Sequence, residues 1–399
     1  MRRRRGFFFL LLFIPIALVL GIWLGGHPGN LPGFARETLV ADTDGRLYEE
    51  AVDTIERDYY REIDRRALLD KSLGAAVESL QDQFSHYFTP KDYTNFQLDT
   101  EGQFEGVGMS VSAVKGGLRV EEVYKGSPAQ EGGLKAGDVI VSVNGRSLAG
   151  KTSDQATALI KGPAGSTVRL GVRDGAADGD SVRELRLKRA KVDIPIVQSR
   201  TERSGGEKIA WVRLAGFTSG SGDDVKAAVK RELDRGAKGV VLDLRHNGGG
   251  LLNEAVGVAS VFIPDGRIVS TKGRSRPEQV YNASGGAIPR KTPVVVLVDE
   301  ASASASEIVT GALQDRKRAK VVGTRTYGKG VFQEIERLPN GGALDITVGE
   351  YFLPSGRNLG GGGVRKGAGV SPDIKASDDP ETKTDEALQT ALRTVAREL

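Results

Sequence analysis

The sequence predicts a multidomain α/β and β protein: an N-terminal transmembrane helix, a helical head, a small β domain, an α/β core and a C-terminal helix. Three observations carry this. A basic, then apolar, N-terminus precedes everything else. A section of short strands with tight turns follows a helical stretch. Beyond it, apolar runs of strand length alternate with helical periodicity. At 399 residues the chain exceeds one ordinary core, and its 39% apolar and 27% charged composition is that of a globular protein.

Arg2 to Arg5 precede the apolar run Phe7 to Leu24, whose 18 residues reach the length that spans a bilayer. The arginines are expected to stay cytoplasmic, placing the bulk of the chain outside, on the periplasmic or extracellular face. A cleaved signal peptide is the competing reading, which would make the protein secreted. The apolar run is long for one, and Gly25-Gly26-His27-Pro28 lacks a small-x-small cleavage pattern. The same four arginines account for the net charge of +4, so no nucleic-acid surface is implied. The chain has no cysteine, which excludes disulfides, thiolate catalysis and zinc–thiolate sites, and its three histidines are scattered. No metal or other cofactor is expected.

Boundaries follow the pattern: 1–24 anchor, 25–44 a Gly/Pro-rich tether, 45–97 helical head, 98–190 β domain, 191–377 α/β core, 378–399 terminal helix. In the head, Leu47, Val52, Ile55, Tyr59, Ile63, Leu68, Leu69, Leu73, Val77 and Leu80 recur at three- and four-residue spacing up to about Phe96. In the β domain, Met109 to Ala113, Leu118 to Val123 and Val139 to Val143 read as strands, with Asn144-Gly145 a strong hairpin turn. Ser153 to Lys161 reads as a short helix, followed by strands Val168 to Val172 and Arg183 to Lys188. In the core, strands are expected at Ile209 to Leu214, Val240 to Leu244, Val294 to Val298, Val321 to Val322 and Ile346 to Val348. Helices are expected near Ser221 to Arg235, Leu251 to Val261 and Ala303 to Gln314. The last helix puts Leu388, Leu392, Val395 and Leu399 on one face.

The β domain resembles a PDZ domain through Gly106-Val107-Gly108-Met109, Gly126-Ser127-Pro128-Ala129, Gly137-Asp138-Val139-Ile140 and Val143-Asn144-Gly145. The resemblance implies that a peptide end adds as a strand beside the domain's own. Backbone N–H groups near Val107 to Met109 would hold the terminal carboxylate. Val107, Met109, Val111 and Leu159 or Ile160 would line the pocket for the last side chain, and Gly106 and Gly108 would let the backbone close on the ligand.

Chemistry points to a Ser/Lys pair. Ser302-Ala303-Ser304-Ala305-Ser306-Glu307 is a small-residue turn opening a helix, and Lys329 sits between Gly328 and Gly330. A serine nucleophile needs a base to take its proton. His246, after a strand, is the only histidine placed to compete for that role. Lysine serves as a base only if burial lowers its pKa from ~10.4. Val331, Phe332 and Ile335 would supply apolar surroundings, and Gln333 would orient the amine without adding charge. Gly323 to Lys329 runs G-x-x-x-x-G-K, but Gly330 replaces the Ser/Thr of a nucleotide-binding loop and a strand pattern follows. Asn247-Gly248-Gly249-Gly250, between a strand and a helix, is a place for oxyanion donors, with the Gly250 and Ala305 N–H groups as the pair. Spacing alone does not choose among Ser302, Ser304 and Ser306.

Together, Asp243-Leu244-Arg245-x-Asn247-x-Gly249-Gly250, Ser302 to Glu307, Gly311-Ala312-Leu313-Gln314-Asp315, Gly328-Lys329-Gly330-x-x-Gln333, Pro354-Ser355-Gly356-Arg357 and Ser371-Pro372-Asp373-Ile374 resemble the carboxyl-terminal processing (tail-specific) proteases. These are Ser/Lys peptidases with an embedded PDZ domain, and the blocks stand in the family's order. The resemblance implies Ser304 as nucleophile, Lys329 as base and Gln333 as its support. It also implies protein or peptide substrates with apolar C-terminal tails, and a homodimer built through the head and the last helix. Gly248 departs from a frequent proline, and Lys161 from a frequent arginine in a segment tied to PDZ-controlled activation. A catalytically silent PDZ scaffold or chaperone adaptor is the alternative. An ester-cleaving or acyl-transferring hydrolase of small molecules is a further one, for which a PDZ domain makes little sense.

Overall fold

A computed structural model describes residues 43–175, 181–379, 381–382 and 384–399. The expected membrane segment and most of the tether lie outside them; among the described residues no helix is long and apolar enough to cross a membrane. Contacts divide the chain into two compact units that meet between Leu80 and Gln81.

The described part of the first unit is two helices, Thr43–Asp58 and Arg65–Glu78. The Asp64 carboxylate caps the second by accepting from the Arg66 and Ala67 amides. Arg65 then reaches Asp53 and Glu56, both at 2.6 Å, an exposed link of little energetic weight. Val52 and Val77 are buried, while Leu47, Ile55, Tyr59 and Leu80 are exposed. The helical pattern expected to run to Phe96 is broken. His86–Phe88 is a strand, and a new helix, Pro90–Glu101, starts only after Thr89 caps it. The three residues of that strand pair with Ala343, Leu344 and Asp345, so a partner far along the chain overrides the local spacing.

In the second unit the central sheet has six strands, in the order Val197–Ser204, Glu207–Leu214, Gly239–Asp243, Val294–Val298, Lys320–Gly323 and Ile374–Lys375. The first pair is antiparallel and the rest parallel. Its inner strands read as continuous apolar runs because both faces are covered. Ala210, Val212, Val240, Leu242, Val294 and Val296 pack under the helices Ser221–Asp234, Leu252–Ser260 and Ala305–Asp315. Their neighbours Ile209, Trp211, Val241, Val295 and Leu297 pack under the last helix, Glu386–Ala396. That helix spends Leu388, Leu392 and Val395 on the chain's own sheet; Leu399, expected on the same face, lies past its end and is exposed. Arg245 fastens it: its guanidinium meets Asp243 at 2.8 Å and Asp385 at 2.9 Å.

An antiparallel sheet stands beside this core. Ala343–Phe352, which contains the expected Ile346 to Val348 run, pairs with Val331–Arg337, His86–Phe88 and Arg267–Lys272, and the last of these with Gln279–Asn282. The strand after Lys329 is the element that excludes a nucleotide-binding loop, which would open a helix.

The β domain is a sheet in the order Met109–Val114, Gly117–Val123, Val139–Val143, Thr167–Arg173 and Val182–Lys188. A ribbon of Gln103–Gly106 against Ala190–Asp193 pairs the chain entering and leaving it. Asn144 and Gly145 both take positive φ, 50° and 78°, and Val143 pairs with Arg146, as a two-residue hairpin requires.

Candidate active site

The structure separates the three serines. Ser302 and Ser306 are fully buried, and their hydroxyls donate to the carbonyls of Leu244 and Asn247, each at 2.8 Å. These bonds pin the turn to the loop after Asp243. Ser304 alone is half-buried, on the residue preceding the helix Ala305–Asp315, with φ 53° and ψ −114°. A non-glycine residue there is strained, and such strain persists only where its surroundings impose it.

Glu307 holds the turn to the lysine loop. One carboxylate oxygen accepts from the Ser304 and Lys329 amides, both at 2.9 Å. The other accepts from the Gly328 amide at 2.7 Å and the Thr326 hydroxyl at 2.6 Å. Two amides on one oxygen bring the serine and lysine backbones together. Burial pushes the Glu307 carboxyl up, against the pull of these four hydrogen bonds. The sequence reading included Glu307 in a motif but gave it no role. Its signal was its place three residues into the helix, where a carboxylate reaches back to the amide preceding it.

The Lys329 amine donates to Gln333 Oε1 at 2.7 Å, as the spacing predicted. Gly328 and Gly330 permit the close approach expected of them: a Cβ at Gly330 would press on the Gly360 amide and Gly363 carbonyl, and Gly328 has φ 96°. Burial holds the amine below its usual 10.5, while Asp345, Asp82 and Glu307 pull the other way. These three carboxylates stand beside the apolar surroundings expected from Val331, Phe332 and Ile335. Val331 is buried and Phe332 packs against the core, yet the aromatic ring over the amine is Phe84, 4.3 Å from its centroid. Asp345 is pushed up to about 6, first by burial, with His86 and Lys329 opposing and Asp82 reinforcing. Nothing in the local sequence signalled Phe84, Asp82 or Asp345, because the antiparallel sheet brings them in. The buried Tyr351 phenol lies against Ser304 without a hydrogen bond of good geometry.

The expected oxyanion donors stand as follows. Gly250, φ 141°, bridges to Phe217, and among the described residues neither its N–H nor that of Ala305 donates to a backbone or side-chain acceptor. Gly249 brings the two loops together: a Cβ there would stand 2.8 Å from Ser304 Cβ and 3.0 Å from the Ala305 nitrogen. Its amide is held by Asn247 Oδ1 at 2.9 Å, and Asn247 in turn donates to the Leu214 carbonyl at 2.9 Å. His246 pairs through Nδ1 with Asp299 at 2.9 Å while its side chain stays 75% exposed. Among the described residues no cluster of His, Cys, Asp or Glu could hold a metal.

In the β domain, Met109–Val114 is an edge strand, with a partner on one side only. The Val107 carbonyl accepts from Ala129 N and the Gly108 carbonyl from Tyr124 N and Ser127 Oγ. Across each planar peptide the Gly108 and Met109 amides therefore turn away from that bend. Met109, Val111 and Leu159 are half-buried, whereas Val107 and Ile160 belong to the domain core. Of the alternatives Leu159 and Ile160, only Leu159 is accessible enough to line the groove.

The model of peptidase family S41 matches residues 208–376, and a PDZ domain model matches residues 119–174. A protein of Staphylococcus haemolyticus named "Probable CtpA-like serine protease" is 30% identical over 92% of this chain and 72% of its own length. A Staphylococcus aureus protein of the same name is 32% identical, and this chain spans 63% of its length. A "Carboxy-terminal-processing protease" of Bartonella bacilliformis is 34% identical over 78% of this chain and 70% of its own. Among solved structures, the photosystem II D1 C-terminal processing protease matches with TM-score 0.50 and 30% identity, covering 89% of this chain and 98% of that one.

Proposed function

The chain belongs to the carboxyl-terminal processing serine proteases of peptidase family S41, and we propose that it is an endopeptidase that cleaves extracytoplasmic proteins with a Ser304/Lys329 dyad. The observation that carries this reading is the Glu307 carboxylate, which binds the Ser304 and Lys329 amides with one oxygen. A serine held on a strained turn next to an amine whose pKa burial lowers is the arrangement a Ser/Lys hydrolase needs.

The neutral Lys329 amine takes the Ser304 proton as Oγ bonds to the scissile carbonyl carbon. The resulting oxyanion accepts hydrogen bonds from the Gly250 and Ala305 N–H groups. As the intermediate collapses, the C–N bond breaks and the lysine passes its proton to the leaving amine. Water, deprotonated by the same lysine, then attacks the acyl ester; the C–O bond breaks and Ser304 regains its proton. Gln333 holds the amine throughout. Its bond to the amine is already made in the free chain.

The β domain would capture the apolar C-terminal tail of a substrate along the edge strand Met109–Val114, with the Gly106 to Met109 loop at the tail carboxylate and Met109, Val111 and Leu159 at its last side chain. The basic and apolar N-terminal segment supports a membrane anchor with the enzyme outside. A homodimer through the head is consistent with its exposed Leu47, Ile55 and Tyr59; the last helix has its apolar face covered by its own chain. A silent scaffold is the alternative reading.

The test is a mass-spectrometric time course. The full-length chain is mixed with a loosely folded protein ending in an apolar tail, beside its Ser304→Ala variant. Products that vanish in the variant establish the peptidase and its bond preference. Equal product patterns from both would overturn the Ser304 assignment, and tail binding without cleavage by either would favour the scaffold.

A further inference from the structure

The segment Asp82 to Ser85 lies at the start of the second unit, upstream of the β domain and far in sequence from either candidate catalytic residue. Its polar groups run in series toward the lysine. The Phe84 amide donates to Asp82 Oδ1 at 3.1 Å, and the Ser85 hydroxyl to Asp82 Oδ2 at 2.7 Å, which closes a tight turn. Ser85 is buried, and its oxygen accepts from the Thr347 amide at 3.0 Å. The Thr347 hydroxyl accepts from Gln333 Nε2 at 2.9 Å, and Gln333 Oε1 accepts from the Lys329 amine at 2.7 Å. The turn also places the Phe84 ring 4.3 Å from that amine. A register shift between Phe332 and Gln333 sets Gln333 opposite Thr347. Such bulges re-aim side chains next to active sites.

We propose that Asp82 to Ser85 is a positioning arm for the base of the proposed dyad: Asp82 and Ser85 fix Thr347, Thr347 fixes Gln333, Gln333 fixes the Lys329 amine, and Phe84 closes over it. The proposal rests on the reading of Lys329 as the base. Every link except the last is made without the lysine. Without the arm Gln333 keeps Thr347 opposite, but Thr347 loses the groups that hold it, and with them the setting of the Gln333 amide. Asp82 has a second effect. Burial works against its charge, yet the hydrogen bonds from Thr347, Ser85 and the Phe84 amide, helped by Lys329, keep its carboxyl below the usual range. Its charge favours the protonated amine, as do those of Asp345 and Glu307, with His86 acting on Asp345. Asp82 touches no reacting atom; it acts through other residues.

The test measures kcat and KM against pH on the full-length chain. Asp82→Asn keeps an oxygen for the Phe84 amide but removes the charge. It should lower kcat about ten- to a hundred-fold, the cost of misplacing a reacting group by a fraction of an ångström to an ångström. KM should stay near its original value, and the acid limb of kcat should move to lower pH, because a lysine facing one carboxylate fewer loses its proton more readily. Ser85→Ala removes the bond to the Thr347 amide without removing charge, so kcat should fall with the acid limb in place. Asp82→Glu, which restores the charge, should return the limb toward its original pH. A drop in kcat for Asp82→Asn that follows only the folded fraction, with an unmoved limb, would reduce the segment to a structural turn and overturn the proposal. Full turnover in both Asp82→Asn and Ser85→Ala, beside an inactive Lys329→Ala, would overturn the arm and leave the dyad standing. Near-native turnover in Lys329→Ala would overturn the base assignment, and the arm with it.

Discussion

Removing the Glu307 carboxylate should uncouple the two halves of the site. In Glu307→Ala three backbone amides, those of Ser304, Gly328 and Lys329, lose their acceptor together with the Thr326 hydroxyl. A buried donor left unsatisfied costs about 1–3 kcal/mol, and the truncation adds a cavity. Relief of the buried charge offsets part of this, since burial already pushes the Glu307 carboxyl up. The net loss should be about 4 kcal/mol, a large share of the stability of an ordinary domain. Glu307→Gln should behave differently. With its oxygen toward Ser304 and Lys329, its NH2 can donate to the Thr326 oxygen, and the Gly328 amide and the Thr326 hydroxyl lose their acceptor while the Ser304 and Lys329 amides keep theirs. That variant should lose about 1–3 kcal/mol and keep most of its turnover. Urea unfolding gives the stability difference, and single-turnover cleavage normalised to folded protein gives the catalytic one, expected at about a hundredfold for Glu307→Ala. If Glu307→Ala unfolds within ~0.5 kcal/mol of the parent and cleaves within a factor of two, the clamp does not organise the site and the reasoning fails.

Three further outcomes are expected. Lys329→Ala should abolish turnover while tail binding by the β domain is kept, and the parent rate should rise with pH through a midpoint below the ordinary 10.5 of lysine; a flat profile from mildly acid to alkaline pH would contradict a lysine base. Asp345 binds its proton more tightly in the folded chain, at about 6 against an ordinary 3.8, so stability should decline as pH rises through that window, and urea midpoints of Asp345→Asn should lack the decline. Arg245→Ala leaves Asp243, 1% exposed, with the Trp211 indole as its remaining side-chain partner and unfastens the last helix at Asp385; thermal unfolding should report a loss of about 3–5 kcal/mol.

The parts of this molecule that sequence makes legible are those whose cause is local. The core strands announce themselves because each is a short apolar run with both faces covered, as the alternation of Val294 and Val296 with Val295 and Leu297 between two separate cores makes plain. Asn144-Gly145 is readable because two successive positive φ values suit few other residue pairs. Lys329 and Gln333 are readable because they stand four positions apart across a glycine turn, with the ends of their side chains 2.7 Å apart. Whether Ser302, Ser304 or Ser306 is the nucleophile is not local. That choice is made by the carbonyls of Leu244 and Asn247, 58 and 59 residues away from the serines they bind.

The same distinction explains why the lysine's surroundings were misread. Val331, Phe332 and Ile335 were its neighbours in sequence, whereas its neighbours in space include Phe84, Asp82 and Asp345. Ser85 and Thr347 are 262 positions apart, and helical spacing around His86 concealed the strand that joins them. The consequence reaches the chemistry. A base in an apolar pocket would owe its low pKa to burial alone and would be indifferent to its neighbours' charge. The amine found here is balanced between burial, which lowers its pKa, and three carboxylates, which raise it. Loss of any one of those carboxylates moves the balance toward the neutral base, so its working pH depends on residues supplied from three different stretches of the chain.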